Sequence, residues 1–126
     1  MAVQPIHTDQ APAAIGPYSQ GISAGSWHFV SGQLGLNPQT GELVSPEMAD
    51  QAHQALQNLK QIVEAAGCHL NQVVAVDVFL TDMGQFLAFN EIYAAFFGDH
   101  KPARAVIEVG ALPKGGCVEV KCIVYG

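Results

Sequence analysis

The stretch Val73-Val74-Ala75-Val76-Asp77-Val78-Phe79-Leu80 poses the question the fold must answer. Apart from Asp77 it is apolar throughout, so a strand running through it presents apolar side chains on both faces. Helical segments on either side in sequence can cover one face. Nothing else in the chain is available for the other, which points to a neighbouring subunit. Composition agrees: 49% of the residues are apolar and only 13% charged. Apolar surface left after one core is filled is usually covered by another copy.

Upstream, Ser45-Pro46 predicts a helix start, with serine as cap and proline at the first helical position. Met48, Ala52, Leu56, Leu59, Val63 and Ala66 then recur three or four residues apart, and Gly67 closes the helix. Downstream, Thr81-Asp82 to Gln85 resembles a capping box with aspartate as its first member. The second helix runs to Phe97, with Phe86, Phe89, Tyr93 and Phe96 facing inward and Gly98 ending it. Asn90 falls beside that stripe, as a local hydrogen bonder or a ligand contact. His53 flanks the first stripe and His100 sits in a short connection; neither has a partner at ligand spacing.

Towards the N-terminus, residues 1–14 read as a polar, alanine-rich arm or loop, and Tyr18 follows a Gly16-Pro17 turn. Ile22 to Gly25 and Trp27 to Ser31 form a predicted hairpin. In Ser31-Gly32-Gln33-Leu34-Gly35 the glycines permit a bulge or the close approach of a ligand to backbone, without the Gly-Lys-Ser/Thr ending of a phosphate loop. After a turn at Asn37–Gly41, Glu42-Leu43-Val44 makes a short return.

At the other end, Arg104 to Val109 and Cys117 to Tyr125 alternate as strands. The expected architecture is α+β: a mixed sheet of about six strands with two helices on one face. The opposite face is expected to carry Arg104 and Glu119. Arg104 is the only arginine in the chain. Its planar fork can grip a carboxylate through two parallel hydrogen bonds, or it can pair structurally with Glu108 or Glu119.

A chain of 126 residues fits one domain, spanning 1–126. A net charge of −6 argues against nucleic acid or an anionic membrane as the main partner. No apolar run approaches the ~20 residues of a membrane span, and Met1-Ala2-Val3-Gln4-Pro5 does not read as a signal peptide. Cys68, Cys117 and Cys122 show neither CxxC nor metal spacing, which suits free thiols in the reducing cytoplasm.

Ala11-Pro12-Ala13-Ala14-Ile15-Gly16-Pro17-Tyr18-Ser19-Gln20, Val30-Ser31-Gly32-Gln33, and Pro102-Ala103-Arg104 with Val118-Glu119-Val120 resemble the RidA/YjgF family over nearly the whole chain. The resemblance implies a chorismate-mutase-like domain, assembled as a homotrimer around a central barrel with sites between subunits. It also implies hydrolysis of reactive 2-enamine and 2-imino acids, such as 2-aminoacrylate/2-iminopropanoate and 2-iminobutanoate. The products are 2-oxo acids and ammonia, and neither metal nor cofactor is used. In that setting Arg104 anchors the substrate carboxylate and Glu119 holds the water. Tyr18, Ser31, Gly32 and Asn90 complete the binding pocket. Val106 stands where many active members carry cysteine, and the Gly98-Asp99-His100-Lys101 connection is shorter than in some. Arg104 alone would suffice for a non-catalytic, regulatory binder of small carboxylates. A ribonuclease role, also attributed to the family, sits poorly with the acidic charge and the lack of a Lys/Arg cluster.

Overall fold

The structure, a computed structural model, describes residues 2–126. Six strands form one sheet: β1 (Gln4–Ile6), β2 (Gly21–Ala24), β3 (Trp27–Leu34), β4 (Val73–Leu80), β5 (Ala103–Glu108) and β6 (Val118–Tyr125). Their order is β1-β2-β3-β6-β4-β5. Every pairing is antiparallel except β4–β5, which is parallel. A parallel pair needs a crossover, and the second of the two helices, α1 (Met48–Ala65) and α2 (Phe86–Phe97), supplies it. The α+β architecture and mixed sheet are therefore as the sequence predicts.

β4 lies in the middle, between β6 and β5. Val73, Val76, Val78 and Leu80 are buried, and they share their core with Val118, Val120, Cys122 and Val124 of β6. The helices cover this side with Ala52, Leu56, Leu59 and Val63 from α1 and Phe89, Tyr93 and Phe97 from α2. Phe97, outside the expected stripe, joins it at successive steps of four from Phe89 through Tyr93, while Phe96 packs, partly buried, against the same core. Buried among them, the Cys122 thiol is pushed up to about 12 by loss of solvent.

The first helix starts later than Ser45-Pro46 suggests. Glu47 occupies the cap position in extended conformation, while the Ser45 hydroxyl accepts from the Glu47 amide at 2.9 Å and donates to Asp50 at 2.8 Å. Its end is as expected: Gly67 is left-handed, its amide bonds the Glu64 carbonyl, and the Cys68 amide bonds that of Val63. Two buried polar residues tie α1 to the end of the sheet. Asn58 Nδ2 donates to the Leu34 and Leu36 carbonyls, and Gln51 Oε1 accepts from the Cys117 amide at 2.7 Å.

Residues 4–6, read as part of an arm, form an edge strand instead. Pro5 is tolerated there because an edge position has a side that needs no amide donor. Gln20, buried, pins the segment behind it by donating to the Thr8 and Pro12 carbonyls, each at 2.9 Å. Glu42-Leu43-Val44 contributes only one bridge, Leu36 to Leu43.

The face away from the helices is open. Trp27 pairs with Tyr125, Phe29 with Ile123, and Phe79 with both Glu119 and Ile107. Phe29 and Ile107 are 45% and 48% exposed, as no interior aliphatic or aromatic residue would be. The Asp77 carboxylate stands 3.9 Å from Lys121 on this same face. Among the described residues nothing supplies the second apolar cover that β4 calls for.

Candidate functional site: two clefts on opposite sides of the sheet

Strand register decides where the two charged candidates point. Val76 is the partner of both Arg104 on β5 and Cys122 on β6, and Val76 and Cys122 are buried beneath the helices. Arg104 therefore belongs to the helix side. Glu119 pairs with Phe79, an odd number of residues along β4, and belongs to the open side. The expectation that both share the outer face is corrected: alternation within β5 is as read, but the Arg104–Val106–Glu108 set faces inward. Val106 packs against the core beneath β5 and is not among the residues that line either cleft.

Arg104 reaches solvent at the sheet edge, beside α2. Its Nη1 donates to Asn90 Oδ1 at 2.8 Å. Its Cζ lies 4.7 Å from the Tyr93 ring centroid and 5.8 Å from that of Phe86. Phe86, Asn90 and Tyr93 are four and three residues apart, one face of a helix. A cleft of about 360 Å³ opens here, lined also by Phe97, His100, Lys101 and Pro102. His100 is no free base, since its Nε2 contacts the Val73 carbonyl at 2.7 Å and fastens the loop to β4.

Glu119 stands in a second cleft, of about 860 Å³, together with Tyr18, Ser31, Gly32, Leu34 and Lys114. A register shift between Val30 and Gln33 places Ser31 and Gly32 in a bulge of β3, where the sequence glycine allows it. The Ser31 hydroxyl donates to the Ser19 carbonyl at 2.6 Å, locking the Tyr18 loop to the strand. Tyr18 itself is exposed. A Cβ on Gly32 would overlap the Glu119 carboxylate, so this close approach requires glycine. Half-burial raises the Glu119 pKa above the ordinary carboxylate value, and the neighbouring Lys121 only partly opposes it. Across the rim, Lys114 adopts left-handed backbone (φ 59°) and donates from Nζ to the Gly41 carbonyl at 2.9 Å.

The two clefts share no lining residue. One brings together Arg104 and Asn90, the other Tyr18, Ser31, Gly32 and Glu119. Sequence reading assigned Phe86 and Tyr93 to the core and missed their contact with Arg104; their helical spacing from Asn90 was the available signal. It also missed Lys114, whose unusual backbone has no sequence signature. Among the described residues no cluster of three His, Cys, Asp or Glu side chains is placed to hold a metal ion.

Between them the clefts offer one guanidinium fork, one partly desolvated carboxylate, two lysine ammonium groups and neutral hydrogen-bonding groups. The profile of the family described as Endoribonuclease L-PSP matches residues 8–126. A RutC family protein of Pyrococcus horikoshii is 49% identical over 95% of this chain and 95% of its own. The 2-iminobutanoate/2-iminopropanoate deaminase of Mus musculus is 48% identical over 94% of this chain and 87% of its own. The crystal structure of E. coli TdcF with bound serine superposes with a TM-score of 0.93 at 41% identity, covering 98% of each chain. The chain belongs to the Endoribonuclease L-PSP family, that of the RidA and YjgF proteins.

Proposed function

We propose that the protein hydrolyses reactive 2-imino acids, with 2-iminopropanoate and 2-iminobutanoate as the substrate class, at sites built between subunits of a homotrimer. The carrying observation is the separation of the two clefts. Arg104 and Glu119 lie on opposite sides of one sheet with no shared lining residue, so a molecule of three or four carbons meets both only if a second copy brings its Glu119 cleft to the Arg104 cleft. The open apolar face beside Glu119 supports such an assembly, as does the deaminase name of the mouse relative.

In this arrangement Arg104 holds the substrate carboxylate, a charged contact worth roughly 1.5–3 kcal/mol. An enamine substrate first takes a proton on carbon and becomes the iminium. Glu119 accepts a proton from water as the water oxygen adds to the iminium carbon, giving a carbinolamine. Protonated Glu119 then passes its proton to the amine nitrogen, the C–N bond breaks to release ammonia, and the hydroxyl proton is lost to solvent as the carbonyl forms. Burial suits Glu119 to this work, since a raised pKa makes a better base. Ser31, the Gly32 backbone and Tyr18 confine water and substrate, and Asn90 steadies Arg104. The groups named need no metal or cofactor.

The test is ammonia and 2-oxo acid release from imines generated in situ by a threonine dehydratase. Acceleration over spontaneous hydrolysis, lost in both Arg104→Ala and Glu119→Gln, is the expected result. A second reading, a non-catalytic binder of small carboxylates, is favoured by the amino acid bound in the TdcF crystal structure. It predicts binding that depends on Arg104, is indifferent to Glu119, and brings no acceleration. Direct action on RNA, which the family description suggests, is disfavoured by the net charge of −6.

A further inference from the structure

Arg104 is held more firmly than an exposed arginine needs to be. Its guanidinium touches two aromatic rings and gives one hydrogen bond, all to residues of α2 in the same chain. The Tyr93 ring is itself fixed: it is only 8% exposed, with ring centroids of Phe97 at 4.8 Å and Phe89 at 5.8 Å. The Tyr93 hydroxyl is buried with no hydrogen-bond partner among the described residues. Burial pushes it up to about 12, against the opposing pull of Arg104. Tyr93 is therefore a neutral phenol at working pH, and it meets the guanidinium through its ring rather than as an ion-pair partner.

Accepting Arg104 as the carboxylate anchor, we propose that Phe86, Asn90 and Tyr93 form a preorganised cradle that fixes the plane of its guanidinium, and that Tyr93 is a positioning residue for substrate binding. Asn90 occupies Nη1, and no other hydrogen bond engages the group among the described residues. The edge formed by Nε and Nη2 is thus left free, and that edge matches the two oxygens of a carboxylate lying in the same plane. Without aromatic support the side chain would sample several rotamers, and ligand binding would have to order them. The cradle removes that cost before the ligand arrives. It also favours flat carboxylate ligands over bulkier tetrahedral anions.

Because Arg104 is the only arginine, its Nε–H group is the single arginine correlation in a nitrogen-15 spectrum of the intact protein. In wild-type protein that signal is expected to be displaced by the ring currents of Tyr93 and Phe86. Tyr93→Phe keeps the displacement; Tyr93→Leu returns the signal towards that of a free arginine. Pyruvate, a stable 2-oxo acid, is then titrated against the same signal. The expected outcome is a Kd weakened roughly 3- to 30-fold in Tyr93→Leu and Phe86→Leu, and within about twofold of wild type in Tyr93→Phe. In the hydrolysis assay the same loss should fall on KM with kcat little changed, which general destabilisation would not produce.

Wild-type affinity and an unmoved arginine signal in Tyr93→Leu would overturn the cradle. Should Tyr93→Leu not fold, the half-buried Phe86→Leu decides by the same two readings. The anchor role fails separately: pyruvate binding undiminished in Arg104→Ala, or no response of wild type to pyruvate, removes Arg104 as anchor, while the ligand-free spectra still test the cradle.

Discussion

Gly32 and Glu119 occupy the same space so nearly that a methyl group on the first would overlap the carboxylate of the second. Gly32 does not adopt left-handed backbone, so alanine is acceptable to the main chain and the conflict is confined to the glutamate. Gly32→Ala is expected to fold, to lose about 1–3 kcal/mol of stability from overpacking, and to lower kcat about tenfold or more by turning the carboxylate away from the cleft. Chemical denaturation and steady-state kinetics on the one preparation check both parts.

An inter-subunit site makes a numerical prediction about mixed assemblies. Arg104→Ala and Glu119→Gln are each expected to be inactive. Unfolded together in equal amounts and refolded, they should recover about one quarter of wild-type activity, because each site draws one residue from each of two randomly chosen chains. A site contained within one chain would recover nothing.

The pH dependence follows from Glu119. Its pKa is raised in the folded protein, chiefly by burial, so the base is lost as pH falls through a value above the ordinary carboxylate range. The kcat/KM profile should therefore show an acidic limb displaced upward, and Lys121→Met, by removing the opposing charge, should displace it further. The stability sign is opposite. A carboxyl that binds its proton more tightly when folded makes the native state relatively less stable as pH rises from the unfolded to the folded pKa. Glu119→Gln should thus be more stable than wild type at neutral pH, with the difference vanishing in acid, as thermal melts across that range will show.

Tyr93→Phe tests a different expense. The buried hydroxyl has no partner among the described residues, and removing it leaves ring packing and the Arg104 contact in place. A gain of about 1 kcal/mol is expected, visible as a rise of a few degrees in Tm.

The sequence made the sheet and helices legible because their apolar spacings are unambiguous: three and four in Met48–Ala66, and alternation in Val118–Tyr125. It failed at the sidedness of β5. Arg104, Val106 and Glu108 alternate with Ala105, Ile107 and Val109, and both sets hold apolar residues. Period two separates the sets without saying which faces the helices; only the pairing of Arg104 with Val76 decides. Ser45 failed differently. Its hydroxyl makes a capping-type bond, but to Glu47 just outside the helix, an outcome that sequence spacing does not distinguish from a true cap. Tyr93 was legible as core and is core; its second contact, with Arg104 on β5, lies beyond any local pattern.

The burial of Cys122 gives the molecule an internal clock. Only a thiolate attacks disulfides and alkylating reagents readily, and with its thiol pushed up to about 12 Cys122 offers almost none while folded. Cys68 is buried as well, leaving Cys117 as the partly exposed thiol. Thiol modification in an oxidising medium is thus confined to Cys117 until the chain opens. The appearance of a second modified cysteine then marks how often the sheet and helices have come apart.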